Sequence, residues 1–218
     1  MSSVITFSPA HTVVPTYECF NRCSYCNFRL DPEADDSLTK SDLLDILKQL
    51  DIERVAEILV LSGEVHPESN RRIKWFTKVK EICELALSFG FLPHTNVGPL
   101  SWPEMEQLKK VNVSMGLMLE QINPQFMQTV HKYAPSKEPK LRSQQLEWAG
   151  ELKIPFTTGI LLGIGETQSD IRDSLEEIAR IHQKWGHIQE VILQPHSVGT
   201  KQVLNAPSFD PQQLPVII

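Results

Sequence analysis

The 218-residue chain reads as an α/β protein on a parallel sheet, and three observations predict it. Strand-like apolar segments alternate with helix-spaced ones along the whole length, no tight hairpin signal joins two strands, and no low-complexity tract breaks the alternation. The length sits near the upper end of what one core holds, so residues 1–218 are expected as a single domain.

The elements follow in order. Thr12 to Glu18 is short and extended around Pro15, which cannot donate to a ladder, so a first strand at a sheet edge is expected. After an acidic loop (DPEADDS), Leu43, Ile46, Leu47 and Leu50 recur at helical spacing behind Ser41 and Asp42 as caps. The EILVL run from Glu57 to Leu61 is a buried strand. Ile73, Phe76, Val79, Cys83 and Ala86 then share one face of a long amphipathic helix that Gly90 stops. FLPHTN is a strand, SWPEMEQLKK a helix capped by Ser101 with Pro103 in its first turn, and VNVSMGLML a strand. NPQFMQTVHKY and Leu141 to Leu152 are predicted helical, separated by a polar linker, APSKEP. PFTTGILLG is a strand, Ser169 to Trp185 a helix with Ile171, Leu175, Ile178 and Trp185 inward, and IQEVILQP a last strand. Such βα units form either an open doubly wound sheet or most of a barrel. Both put their sites at the carboxyl ends of the strands, where SGE, HTN, LEQ, GIGE and QPH gather polar residues and glycine.

Composition narrows the function. Asp and Glu total 27 against 21 Lys and Arg, a formal charge of -6, which disfavours non-specific binding to nucleic acid or anionic lipid. No apolar run approaches the roughly 20 residues of a membrane helix and no leader pattern is present, so no membrane partner, no nucleic acid partner and a cytoplasmic location are expected. The basic stretch NRRIKWFTKVK places its aromatics on the core stripe of its helix and reads as a solvated outer face.

Three of the four cysteines, Cys19, Cys23 and Cys26, form C-x3-C-x2-C directly after the first strand. This spacing lets three thiolates from one tight loop converge on one inorganic centre. Zinc usually takes four protein ligands, and so does an ordinary electron-transfer iron-sulfur cluster. Three ligands on a four-iron cube leave one iron open for a substrate or cosubstrate. Cys83 sits among apolar residues at helical spacing and reads as core.

The loop CFNRCSYC, with Tyr25 before its last cysteine, resembles the signature of radical S-adenosylmethionine (SAM) enzymes. The resemblance implies a [4Fe-4S] cluster held by Cys19, Cys23 and Cys26, with its open iron chelated by SAM. Reductive cleavage of SAM there yields a 5'-deoxyadenosyl radical that abstracts a substrate hydrogen. It also implies a partial parallel (β/α)6 TIM-like barrel, which decides between the two architectures. Ser62, Gly63 and Glu64 then match the segment that contacts the SAM amino group, Glu120 the acidic position on the ribose hydroxyls, and Arg142 a guanidinium for the SAM carboxylate. GILLGIGE, with Gly163 and Gly165, matches the segment whose backbone receives the adenine.

TYECFNRCSYCNFR, LSGEVHP, LPHTN, SMGLMLEQ, IPFTTGILLGIGE and QEVILQPH together resemble the radical SAM subunit of 7,8-didemethyl-8-hydroxy-5-deazariboflavin (FO) synthase over nearly the whole chain. This implies a carbon-nitrogen lyase in deazaflavin biosynthesis. It would close the deazaflavin ring from a hydroxybenzyl-uracil adduct and release ammonia, with a ferredoxin or flavodoxin as reductant and the sister synthase subunit as a partner. The sister activity, which joins tyrosine to the ribityl-diaminouracil, and a non-catalytic metal-binding or electron-transfer module are the alternatives.

His94, Asn96, Gln194 and His196 are expected on the substrate wall, whereas His66 and His131 read as ordinary hydrogen-bonded polar residues. Met115 and Met118 read as packing. The chain ends in apolar PVII just after KQVLNAPSFDPQQL, where relatives of the resembled family continue, so a fold cut near its last helix and lacking its substrate-closing segment is expected.

Overall fold

Six parallel strands lie side by side in chain order in the computed structural model, which describes residues 7–214. They are β1 (Ala10–Val13), β2 (Glu57–Leu61), β3 (Leu92–Asn96), β4 (Ser114–Gly116), β5 (Phe156–Leu162) and β6 (Ile188–Pro195). The connecting helices are α1 (Lys40–Gln49), α2 (Arg72–Ser88), α3 (Trp102–Leu108), α4 (Pro139–Glu151) and α5 (Gln168–Trp185). A doubly wound sheet reverses its strand order at a switch point; here each strand pairs with its successor in sequence, without reversal. The fold is therefore a partial TIM-like barrel with β1 and β6 at its two edges.

Strand alternation divides the sheet into two faces. Ile58 and Val60 of β2 are fully buried beneath the helices, packed in one core with Leu47, Val79, Ala86, Leu108, Leu146 and Ile181. Their neighbours Leu59 and Leu61 take the opposite, inner face. The register pairs Leu59 with His94 and Leu61 with Asn96, which puts both polar side chains on that inner face.

Several local expectations need correction. The first strand stops at Val13 rather than running to Glu18, although it keeps its edge position; the segment beyond it belongs to the cysteine loop. The cap of α1 is Thr39, not Ser41 or Asp42. Asp42 instead closes a capping box, its backbone N–H donating to Thr39 Oγ1 at 3.2 Å while its carboxylate accepts from the Thr39 N–H at 3.1 Å. Ile73 is 79% exposed, because the inward stripe of α2 is set by Trp75, Phe76, Val79, Ile82, Cys83 and Ala86. On α5, Ser174 and Ile181 are buried while Leu175 and Trp185 are half-buried. NPQFMQTVHKY forms only a 3-10 turn at Pro124–Gln128. Among the described residues no helix is long and apolar enough to cross a membrane. The apolar end at 215–218 lies outside the described residues.

Candidate functional site

The cysteine loop fills the space between β1 and α1 and is pinned from three directions. Toward β2, Gly63 donates to Thr16 O at 2.9 Å and Phe20 to Glu64 O at 3.0 Å. Toward the region after β4, Arg22 donates to Tyr133 O at 2.7 Å and Ser24 to Val130 O at 3.0 Å. Toward the segment after β6, Ser24 O accepts from Val203 and Leu204, both at 2.8 Å. The acidic loop adds Asp35, whose carboxylate accepts from the Tyr17 N–H at 2.8 Å and from the Thr16 hydroxyl.

Cys19, Cys23 and Cys26 are free thiols lining one cavity of about 420 Å³, together with Tyr17, Asn21, Tyr25, Phe28, Arg29, Leu61, Ser62, Gly63, Glu64 and Lys137. Burial pushes the Cys23 thiol up to about 11 and, with the nearby Glu64 carboxylate, raises Cys19 as well. Thiolates here therefore need a cationic partner. A set of three softly donating sulfurs on one loop suits an iron-sulfur group that takes three protein ligands. Among the described residues, no three His, Cys, Asp or Glu side chains are gathered tightly enough to hold a single metal ion.

Four charged side chains gather here, Glu64 and Lys137 in the cavity wall and Glu120 and Arg142 behind them. Glu64 accepts from Asn21 Nδ2 at 3.0 Å and lies 3.4 Å from an Arg142 nitrogen. Arg142, 1% exposed, donates from Nε to Ser136 O at 2.9 Å and also to Met118 O, and its other terminal contact is Glu120 at 3.7 Å. Lys137 Nζ donates to Glu120 Oε1 at 2.5 Å. Burial would raise the Glu120 carboxyl, but the Lys137 and Arg142 charges outweigh it and hold it below its ordinary range. Glu120 adopts φ 68, a left-handed conformation that costs a non-glycine residue on the order of 1 kcal/mol or more. Gly98, at φ 83, makes room for Glu64: a Cβ there would sit 2.4 Å from Glu64 Cγ.

Residues 13–178 match the family model described as the Radical SAM superfamily. The chain belongs to the radical SAM superfamily. Within it, the chain is 62% identical to the 7,8-didemethyl-8-hydroxy-5-deazariboflavin synthase of Trichormus variabilis, across 99% of this chain and 63% of that one. It is 60% identical to the synthase of Trichodesmium erythraeum, across 100% of this chain and 68% of that one, and so falls in the FO synthase family. The chain thus spans about two thirds of the length of these relatives. The FeFe-hydrogenase maturase HydG from Carboxydothermus hydrogenoformans shares the fold, with a TM-score of 0.80 at 22% identity over 93% of this chain and 48% of that one. Membership of the radical SAM superfamily implies a [4Fe-4S] cluster, SAM and a small-molecule substrate.

The remaining sequence-predicted residues of this radical SAM chain are dispersed. Ser62 Oγ accepts from Trp75 Nε1 at 2.9 Å and donates to Gly63 O at 2.8 Å, steadying the end of β2. The Tyr25 hydroxyl meets His131 Nε2 at 3.1 Å, and its ring packs on Phe126, Val130, Leu161 and Ile164. Gly163 and Gly165 both have positive φ; Gly163 is covered by Phe209, while the space above Gly165 is open. His94 is buried, with Nδ1 2.7 Å from Ser114 Oγ. Asn96 is half-buried on the inner face and Gln194 is exposed, paired in register with Leu161. His196 does not present an open ring: Nε2 lies 3.1 Å from Gln202 Oε1 and its backbone carbonyl accepts from Phe209, so it ties down the segment after β6.

Two further residues escaped sequence reading. Lys137 sits in APSKEP, which looks like a solvated linker, and only the tertiary fold brings it to the cysteines. Glu166 closes the turn after β5, its carboxylate accepting from Gly163 N at 2.6 Å and Ile164 N at 2.8 Å. An acidic residue three positions beyond a glycine at a strand end was the available signal for it.

Proposed function

We propose that this chain forms the 5-deazaflavin ring of 7,8-didemethyl-8-hydroxy-5-deazariboflavin from 5-amino-5-(4-hydroxybenzyl)-6-(D-ribitylimino)-5,6-dihydrouracil with loss of ammonia, acting as a carbon-nitrogen lyase. The observation that carries the reading is three free thiols and Glu64 around one cavity, in a chain 62% identical to a synthase named for that product. Residues 1–218 act in this reading as one radical SAM core domain. The reductant is a ferredoxin or flavodoxin, the sister synthase subunit provides the adduct, and the setting is cytoplasmic.

Cys19, Cys23 and Cys26 hold the cluster in this reading, and Glu64 accepts a hydrogen bond from the SAM ammonium. With both groups bound, the cofactors supply a 5'-deoxyadenosyl radical that removes a hydrogen atom from the substrate. The chain's own part is placement. The pinned loop fixes the thiols, Gly165, with open space above it, lets the adenine approach the backbone, and the inner face to which His94, Asn96 and Gln194 belong takes the substrate in this reading. Exclusion of water and oxygen falls to the apolar cluster around Tyr25 and Phe126.

The test is anaerobic reconstitution with iron and sulfide, followed by SAM, a reductant and the hydroxybenzyl-uracil adduct. About four irons and four sulfides per chain are expected, then 5'-deoxyadenosine and a fluorescent deazaflavin. One zinc without sulfide overturns the cluster. Consumption of tyrosine in place of the adduct assigns the sister activity, and an intact cluster that never cleaves SAM leaves a binding module.

A further inference from the structure

We propose that the inner face of the sheet forms, below the cysteine cavity, a polar floor that holds the uncharged, hydroxyl-rich tail of the substrate, recognised by Thr12, Glu57, His94, Thr157 and Glu190. This rests on the reading above, in which the substrate carries a D-ribityl chain, and it fixes which end of that substrate faces the thiols.

Strand register brings the five side chains to one face. Thr12 pairs with Leu59 and Leu59 with His94, and the same face continues through Ser114 and Gly116 to Thr157 and Glu190. Glu57 lies two residues before Leu59 and so shares its side of the sheet. The cavity of the three cysteines is also lined by Thr12, Val14 and Leu61, so it runs down this face as far as Thr12. Between thiols and floor the wall is apolar, through Val14 and Leu61 and, on β6, the half-buried Ile192. An aromatic body suits that middle layer, and its polar tail then points to the floor.

The charge of the floor selects the tail. Across the six strands Glu57 and Glu190 are the only residues with a formal charge, and no strand carries Lys or Arg. Among the described residues neither carboxylate forms an ion pair, and Glu190 accepts from the Thr157 hydroxyl at 3.4 Å. His94, 7% exposed, commits Nδ1 to Ser114 Oγ at 2.7 Å. Its Nε2 has no hydrogen-bond partner among the described residues and stands over Gly116, where a Cβ would sit 2.9 Å away. Burial holds the imidazole below its ordinary 6.5, with Glu57 and Glu190 opposing, so the ring is neutral at pH 7. A neutral ring offers Nε2 as donor or acceptor according to its tautomer, and a hydroxyl satisfies either. An anionic tail would meet two carboxylates and no cation. A single cation would find no three ligands gathered at one point among the described residues. A chain of hydroxyls, each able to donate to a carboxylate and accept from a threonine, matches the set.

The experiment measures, by fluorescence anisotropy, the binding of three probes to the reconstituted chain in the presence of SAM: the ribityl deazaflavin, its hydroxyl-free pentyl analogue and its terminal phosphate ester. Wild type is expected to bind the ribityl probe on the order of tenfold more tightly than the pentyl one, and the phosphate ester more weakly than the ribityl probe. His94→Leu should shrink the ribityl preference severalfold. Glu57→Gln combined with Glu190→Gln should relax the rejection of the phosphate ester while most of the ribityl affinity is kept. A purely structural role would weaken all three probes together and leave their ratios alone. Should His94→Leu not fold, Glu190→Leu reads the same ribityl-to-pentyl ratio at an exposed position of an edge strand. Equal binding of the ribityl and pentyl probes by wild type overturns the proposal, as do ratios unmoved in folded variants or a phosphate ester bound as tightly as the ribityl probe. Wild type that holds a cluster and SAM but binds none of the three probes overturns instead the substrate reading on which the proposal stands.

Discussion

The Gly63 α-carbon lies directly against the Glu18 carbonyl: a Cβ built on Gly63 would sit 2.0 Å from that oxygen and 2.7 Å from its carbon. Two backbone segments, the end of β2 and the start of the cysteine loop, therefore touch at a point where only glycine fits. The family resemblance places Gly63 in the segment that contacts the SAM amino group; the close approach the structure shows at Gly63 is by the protein's own loop.

Gly63→Ala should accordingly displace the loop without unfolding the sheet. Circular dichroism should stay near wild type while iron content after reconstitution falls at least severalfold. Full iron loading in a folded Gly63→Ala protein would contradict the packing argument.

Serine at Cys19, Cys23 or Cys26 should each abolish the visible absorbance of a reconstituted cluster. Cys83→Ser should leave it intact, because Cys83 is fully buried on the core face of α2 and its side-chain hydrogen-bond partner is the Asn112 amide, at 3.5 Å. Its cost should appear in stability instead, about 1 kcal/mol in urea denaturation.

Arg72 and Glu104 join α2 to α3 through two parallel 2.8 Å hydrogen bonds, and the same guanidinium donates to Val65 O and stands 4.3 Å over the Trp75 ring. Glu104→Gln or Arg72→Met should destabilise by roughly 3 kcal/mol, since each strands a desolvated partner. Burial raises the Glu104 carboxyl, but Arg72 and the Ser101 N–H outweigh it and hold it below the ordinary 4.5. That stability is present above the unfolded value and lost as pH falls through the lower folded one. Glu104→Gln should flatten the acid limb of the stability curve.

His131 titrates in a different window. Burial pushes its imidazole from 6.5 down to about 4, with Glu120 opposing and Lys137 and Arg142 assisting. The unfolded chain takes up this proton first, so the contribution is complete above about 6.5 and is lost progressively down to about 4, on the order of 3 kcal/mol in all. Denaturation midpoints at pH 7 and pH 5 should therefore converge in His131→Gln, where the titrating ring is absent.

The architecture was legible because apolar periodicity marks each βα unit, and because a glycine or polar residue closes each strand. Chemistry was legible at Cys19, Cys23 and Cys26 because three ligands within one loop need no tertiary information. Lys137 was not, because its partners Glu120 and Cys23 come from other loops, and a polar linker looks the same whether solvated or folded inward. The helix expected over NPQFMQTVHKY failed for a related reason. The Val130 and Tyr133 carbonyls accept from Ser24 and Arg22, so the segment's hydrogen bonding is directed at a loop about a hundred residues earlier in sequence. Ile73 was misplaced because two stripes on α2 satisfy the same spacing, and only packing against the sheet selects between them.

The loop's three-way anchorage also has a timing consequence during synthesis. Cys19, Cys23 and Cys26 leave the ribosome early, yet Ser24 O waits for Val203 and Leu204 and Asn27 Oδ1 waits for Lys201 N at 3.1 Å. Closing contacts of such long sequence separation is slow. The nascent chain therefore exposes three unhoused thiols until residues 201–204 have emerged, so closure of the loop around its thiols is expected to follow synthesis of that segment.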